Sequence, residues 1–295
     1  MLPTLLRIGP LAIHSYGVMM AIAFITALHF IRRDSARLGW NPDVIGDIAF
    51  LSLVVGLAGT RILYIIMFHD QFSWSRPLQW FAVWQGGLVF QGAIPCIFVV
   101  VYFSLRKHKI PLGPALDMAA PYMALAHGIG RIGCFLNGCC YGKRTNLPWG
   151  VPFRRVPYDT SLPATGSPAF LDHCSTDSLL RVNQDHWSYP VHPTQLYSVL
   201  GLVTIFLILL YLRNKRPLFP GFVVCSYLVL YGLFRFWIEF LRGDHNPTFF
   251  GTISGQQAFA LGSVVFVGGL IIVLWRRNRR AKGGKASQPQ PGDKT

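Results

Sequence analysis

The sequence has 295 residues, 52% hydrophobic and only 13% charged, with a mean hydropathy of +0.40. Soluble domains carry about 25% charged residues, so this composition excludes an ordinary soluble globular domain and points to an integral membrane protein with several spans. The net charge of +15 resides mostly in loops between apolar runs, which favours attraction to anionic lipid head groups and excludes nucleic acid as the expected partner.

Seven segments are long and apolar enough to be read as membrane-spanning helices, at 14–31, 44–68, 88–105, 112–136, 194–212, 221–241 and 257–275. Crossing a bilayer core takes roughly 20 helical residues, and helices satisfy their own backbone hydrogen bonds in lipid. The expected fold class is therefore all-α and polytopic. A small head at 138–193 is expected between helices four and five, within a membrane domain covering 1–275. The segment 276–295 reads as a basic, disordered tail. The first, third and fifth loops and the tail hold sixteen of the Lys and Arg residues, against eight on the opposite side. The positive-inside rule then places the tail in the cytoplasm and the N-terminus outside.

Taken in chain order, the apolar runs carry polar residues that need explaining. The first opens on His14-Ser15-Tyr16-Gly17. The second contains Arg61 after small residues, a polar contact for a cavity. Gln91 lies in QGGLVFQGA before the third; an amide orients a ligand but does not act as a base. The fourth contains His127 and Arg131, four residues apart and so on one helix face. An arginine in hydrocarbon costs at least ~2.5–3.5 kcal/mol and marks a functional site by default. Arg131 is read as gripping a lipid phosphate with His127 moving a proton; the bland alternative is a buried ion pair and a core histidine. His192 precedes Pro193 at the start of the fifth run, either as a catalytic group or as an anchor for the helix start. The sixth contains Tyr231, Arg235 and Glu239, the chain's only glutamate, with Arg242 just beyond. Arg235 and Glu239 share a face, and a structural ion pair is the favoured reading for Glu239.

Of the six cysteines, Cys96 and Cys225 sit in apolar runs as small hydrophobes. Cys139 and Cys140 are adjacent and Cys134 is five residues earlier, a poor match to zinc sites, which pair C-x(2–4)-C with further His or Cys ligands, so no metal and no cofactor is expected. A disulfide from Cys139 or Cys140 to Cys174 suits an oxidising outer compartment.

In order, the motifs HSYG, QGGLVFQGA, LDMAAP, GRIGCFLNGCCYG, HPTQLY and YGLFRFWIEFLR resemble those of the phosphatidylglycerol–prolipoprotein diacylglyceryl transferase family of bacterial inner membranes. The resemblance covers residues 13–275. It implies a seven-helix enzyme with its site near the outer leaflet and no cofactor. It also implies phosphatidylglycerol, membrane lipids and the signal peptide of a preprolipoprotein as partners. By resemblance, Arg131 and Arg235 match the arginines that hold the phosphate, and Tyr16, Tyr231, Gly142, Glu239 and Arg242 fall on family positions. Gln91 stands where the family has histidine, Cys134 where it has asparagine and Cys139 where it has glutamate. His127 becomes the candidate catalytic proton acceptor, with His192 in reserve. Gln91 and Cys139 favour a second class, a non-catalytic relative that binds anionic lipid or a lipoprotein precursor.

Overall fold

A computed structural model describes residues 4–8, 11–72, 78–81, 87, 89–153, 167–176, 187–215, 217–244 and 253–286. The chain divides into two compact units, Leu28–Met118 and the remainder, Met1–Ala27 with Ala119–Thr295. Each contains part of α1 (Ser15–Arg37) and part of α5 (Leu112–Asn137).

The Leu28–Met118 unit is built on α2 (Pro42–Met67), α3 (Leu78–Phe81) and α4 (Ala93–Lys107). The start of α2 is written into the sequence Asn41-Pro42-Asp43. The Asn41 side chain accepts a hydrogen bond from the Asp43 amide at 2.9 Å, and Pro42 occupies the first turn, where its missing N–H costs nothing. Ile45, Ile48, Leu105, Ile110 and Ala115 form its buried core. Where α2 meets the turn before α4, a Cβ on Gly59 would lie 2.5 Å from the Gly92 carbonyl, so only glycine allows that approach.

Helix α4 corrects the expected third span. It begins at Ala93, not 88, after a 3₁₀ turn at Phe90–Gly92, and runs for 15 residues. Pro95 is the physical reason: in a longer helix its ring would meet the carbonyl of residue 91. Among the described residues, five helices are long and apolar enough to cross a membrane: α1, α2, α7 (Thr194–Asn214), α8 (Phe222–Glu239) and the Gly255–Arg280 part of α9 (Gly255–Ala286). At 26 residues α5 is long enough, but Asp117, Pro121, His127 and Arg131 dilute its apolar character. Large apolar side chains point outward, Leu200 at 68% exposed and Phe266 at 73% among them, a surface suited to lipid and not to water.

The second unit opens with an antiparallel hairpin, β1 (Thr4–Ile8) and β2 (Leu11–His14), where no element was expected. Its helical core joins Ala120 and Ala124 of α5 to Ile205 and Leu209 of α7 and Val223 and Tyr227 of α8. The two alanines, a turn apart, let the helices approach closely. Helix α9 starts with reciprocal capping: the Ser254 hydroxyl accepts from the Gln257 amide (3.2 Å), and the Gln257 side chain accepts from the Ser254 amide (3.0 Å). It continues past Trp275 through the basic residues to Ala286, since Arg, Lys and Ala propagate a helix well.

Within 138–193 the described residues include α6 (Pro168–Thr176) and a buried cluster of Tyr141, Phe153, Ala169 and Val191. His173 of α6 is 5% exposed and its Nδ1 accepts from the Tyr189 amide at 3.2 Å. Burial, with the nearby Arg144 guanidinium adding to it, holds the imidazole below its ordinary range. The folded protein therefore takes up this proton at a lower pH than the unfolded chain, which does so near its ordinary value of about 6.5. Its stability contribution is complete above that pH and shrinks as pH falls below it. Thermal unfolding in detergent is expected to shift to lower temperature between about pH 7 and pH 5, with a shallower shift in His173→Asn, which keeps an acceptor but does not titrate.

Three backbone segments converge on one strap. The Gly142 amide donates to the His192 carbonyl (3.0 Å), the Lys143 amide to Leu241 (2.8 Å), and the Gly243 amide to Tyr141 (3.1 Å). The residues following α5, those preceding α7 and those following α8 are thereby tied together. A Cβ on Gly142 would sit 2.6 Å from the His192 carbonyl and 2.8 Å from that of Leu241. Gly142→Ala is expected to cost about 1–3 kcal/mol, as overpacking does, read as a lowered melting temperature in detergent.

Candidate active site

The strap places the ends of α5 and α8 around a small cavity with about 290 Å³ of atom-free space, its mouth included. Its walls are Arg131 from α5, Cys140 from the turn after it, Thr194, Ser198 and Leu202 from α7, Tyr231, Phe234, Arg235 and Ile238 from α8, and Arg242 beyond α8. Three guanidinium groups thus line one cavity.

Two of the three are neutralised. Arg235 donates to Glu239 Oε2 at 2.5 Å. Arg242 grips Asp244 with both arms, Nε to Oδ1 at 2.9 Å and a terminal nitrogen to Oδ2 at 2.6 Å, and lies 3.7 Å from Glu239. Glu239 is 6% exposed and its other oxygen accepts from the Ser254 hydroxyl at 2.8 Å. The i, i+4 ion pair expected from the sequence is therefore present, but it belongs to a larger network. Asp244 and Ser254 were not anticipated in it.

Arg131 differs. Among the described residues, its guanidinium has no hydrogen-bond or ion-pair partner. Its electrostatic neighbours are Tyr231, Cys140, Cys134 and the like-charged Arg242. Three cationic groups against two carboxylates leave the cavity one positive charge in excess. Such an arrangement binds an anion, and guanidinium forks fit the oxygens of a phosphate.

His127 lies one turn before Arg131, with its ring 4.9 Å from that of Tyr231, a cavity wall. It borders the cavity without lining it. Tyr16, in the first turn of α1 and 42% exposed, packs on Gly133. His192 is outside the lining: its backbone forms part of the strap, and its Nδ1 is 3.4 Å from the Tyr197 hydroxyl. That geometry matches the anchoring role weighed for it. Arg61 and Gln91 belong to the Leu28–Met118 unit. Arg61 is buried, donates to the carbonyls of Trp80 and Gly87 at 3.1 Å each, and lies over the rings of Tyr64 and Phe72. Gln91 is exposed in the turn before α4. Sequence reasoning passed over Thr194 and Ser198. They are hydroxyls four residues apart in an otherwise apolar run, a pattern that identifies one polar face.

Among the described residues Cys139 and Cys140 are free thiols; the disulfide expected from one of them to Cys174 falls outside the described residues, which do not include the Cys174 side chain.

The profile of the prolipoprotein diacylglyceryl transferase family matches residues 3–275. The chain belongs to that family. It is 31% identical over 290 residues to the phosphatidylglycerol–prolipoprotein diacylglyceryl transferase of Pseudoalteromonas atlantica, covering 96% of this chain and 92% of the relative. To the protein of the same name from Geobacter sulfurreducens it is 34% identical over 245 residues, covering 81% and 82%. To that of Ralstonia pickettii it is 30% identical over 295 residues, covering 96% of each. Family membership and the apolar helices together make this a multi-pass membrane protein.

Proposed function

We propose that this member of the prolipoprotein diacylglyceryl transferase family moves the diacylglyceryl group of phosphatidylglycerol onto the lipobox cysteine thiol in the signal peptide of a preprolipoprotein. The observation that carries this reading is the Arg131 guanidinium, unpartnered among the described residues, in a cavity shared with Arg235 and Arg242. The reaction needs that charge. The thiolate sulfur attacks the glyceryl carbon next to the phosphate, a C–S bond forms as the C–O bond breaks, and glycerol 1-phosphate leaves with the electron pair. Guanidiniums already in place stabilise the charge that develops on the departing phosphate. Arg131 contributes an open fork. Arg235 and Arg242, fixed by Glu239 and Asp244, supply a rigid field around it. Tyr231 adds a hydroxyl to the same wall.

The thiol, with a reference pKa of about 8.5, must lose a proton. His127 lies one turn from Arg131 and against Tyr231, a wall of the cavity. We assign it the acceptor role and His192 the positioning of the strap. His127→Ala is expected to cost about 10²–10⁴-fold in transfer rate, the usual share of a general base, while His192→Ala retains more of it. Full activity in both variants, assayed in membranes, rules out a histidine base. Tyr16, Arg61, Gln91, Glu239 and Arg242 complete the substrate-binding set by family position or by polar chemistry.

A seven-helix domain over residues 1–275 in the inner membrane, with 138–193 on the outer face and the basic C-terminal segment in the cytoplasm, fits the distribution of Lys and Arg. Purified protein incubated with phosphatidylglycerol and a lipobox peptide should add the mass of one diacylglyceryl group to the peptide. An unmodified peptide overturns the transferase reading and leaves the second one, a non-catalytic binder of anionic lipid or lipoprotein precursor. Gln91 in the place of the family's histidine favours that alternative, and complementation of a transferase-depleted bacterium separates the two.

A further inference from the structure

The Sγ atoms of Cys134, Cys139 and Cys140 all lie within 4.8 Å of one another. Helix α5 ends in a Schellman turn that produces this. Gly138 takes a positive φ of 72°, its amide donates to the Phe135 carbonyl (3.2 Å), and the Cys139 amide donates to that of Cys134 (3.1 Å). The chain reverses so that the Cys139 thiol falls back over the last turn, with its Sγ 3.7 Å from the Cys134 carbonyl. Cys140 follows with φ of 58°, a left-handed conformation that a β-carbon disfavours and that persists only where its surroundings enforce it.

Those surroundings are visible. The first turn of α7 holds the carbonyl of each turn cysteine: Gln195 Nε2 donates to Cys139 at 2.7 Å, and the Thr194 hydroxyl to Cys140 at 2.6 Å. Gln195 is fully buried, and its Oε1 has no hydrogen-bond partner among the described residues. Two buried side chains from another helix thus fix the backbone that carries two of the three thiols. Packing alone does not ask for a left-handed cysteine clamped in this way.

We propose that Cys134, Cys139 and Cys140 form a three-thiolate site for a single thiophilic d¹⁰ cation, zinc(II) being the probe. Zinc–thiolate bonds of about 2.3 Å place the sulfurs of such a site roughly 3.8–4.0 Å apart, so closing on a cation takes less than about 1 Å of movement from the observed spacing. Soft thiolates select this class of metal over hard divalent cations. Binding releases three protons, Zn²⁺ plus three thiols giving a trithiolate complex of charge −1, with water free to take a fourth position. Cys140 shares the cavity wall with Arg131. The spacing in the sequence hid this site, because the ligand pattern C-x4-C-C works only when the helix end turns back on itself.

The test uses the full-length chain without a polyhistidine tag, purified in detergent under reductant, loaded with zinc(II) and freed of unbound metal by gel filtration. One zinc per chain is expected in the wild type and in Cys96→Ser and Cys225→Ser. At least a tenfold loss of affinity is expected in Cys134→Ser, Cys139→Ser and Cys140→Ser. Cobalt(II) in place of zinc should give thiolate-to-metal charge-transfer absorption. In the unsubstituted protein, zinc should slow alkylation of Cys139 and Cys140, a measurement that needs no variant to fold. Zinc that leaves in gel filtration, stays equally in the three serine variants, or gives no protection from alkylation overturns the site. The readouts are metal content and thiol reactivity, so their failure is distinct from a failure of the transferase reading.

Discussion

Arg131→Ala is expected to lower diacylglyceryl transfer by at least about 10²–10³-fold, the loss seen when one preorganised donor is removed from a developing oxyanion. The reason is specific to this residue. Arg235 and Arg242 already spend their charge on Glu239 and Asp244, whereas Arg131 has no such partner among the described residues. Truncation removes the cavity's excess charge and leaves the packing of Ala120 and Ala124, earlier in α5, untouched. Melting in detergent should therefore stay close to wild type while turnover collapses. Arg131→Lys should recover only part of the rate, because an ammonium supplies charge without the two-armed fork. Near-normal turnover in Arg131→Ala would sink the phosphate-clamp reading.

Glu239→Ala should be the most destabilising change in the site, by about 3–5 kcal/mol, the cost of breaking a buried ion pair from one side. Glu239 is buried between two guanidiniums and also accepts from Ser254, the capping residue of α9. Its removal leaves Arg235 without a counter-charge and uncouples the start of α9 from the end of α8. Glu239→Gln keeps the shape and an acceptor for Ser254 while deleting the charge, so it should fall between wild type and Glu239→Ala. Thermal unfolding of the three proteins in one detergent checks the order. Equal melting temperatures for all three would show that the network is not structural.

The strap and the thiol cluster show what a linear reading misses. Gly142, His192 and Leu241 are far apart in the chain, and nothing in their spacing announces that their backbones meet. Residues 88–92 were legible but misjudged: the run is apolar, yet Pro95 caps how far the helix can extend towards the N-terminus. Cys134 belongs to a helix and Cys139 and Cys140 follow it directly, an arrangement that reads poorly as a ligand set until the left-handed turn at Gly138 brings the three sulfurs together.

By itself the sequence determined the membrane class, the apolar helices, the basic asymmetry and the pairs within one helix. Arg235 with Glu239 and His127 with Arg131 are of this kind, because a 3.6-residue period fixes which neighbours share a face. The tertiary structure decided which charges remain unspent and which helices contribute to one cavity. Ser254 and Thr194 complete their contacts across elements. Only the close approach of separate segments, permitted where glycine leaves room, sets which of three arginines is left to hold an anion.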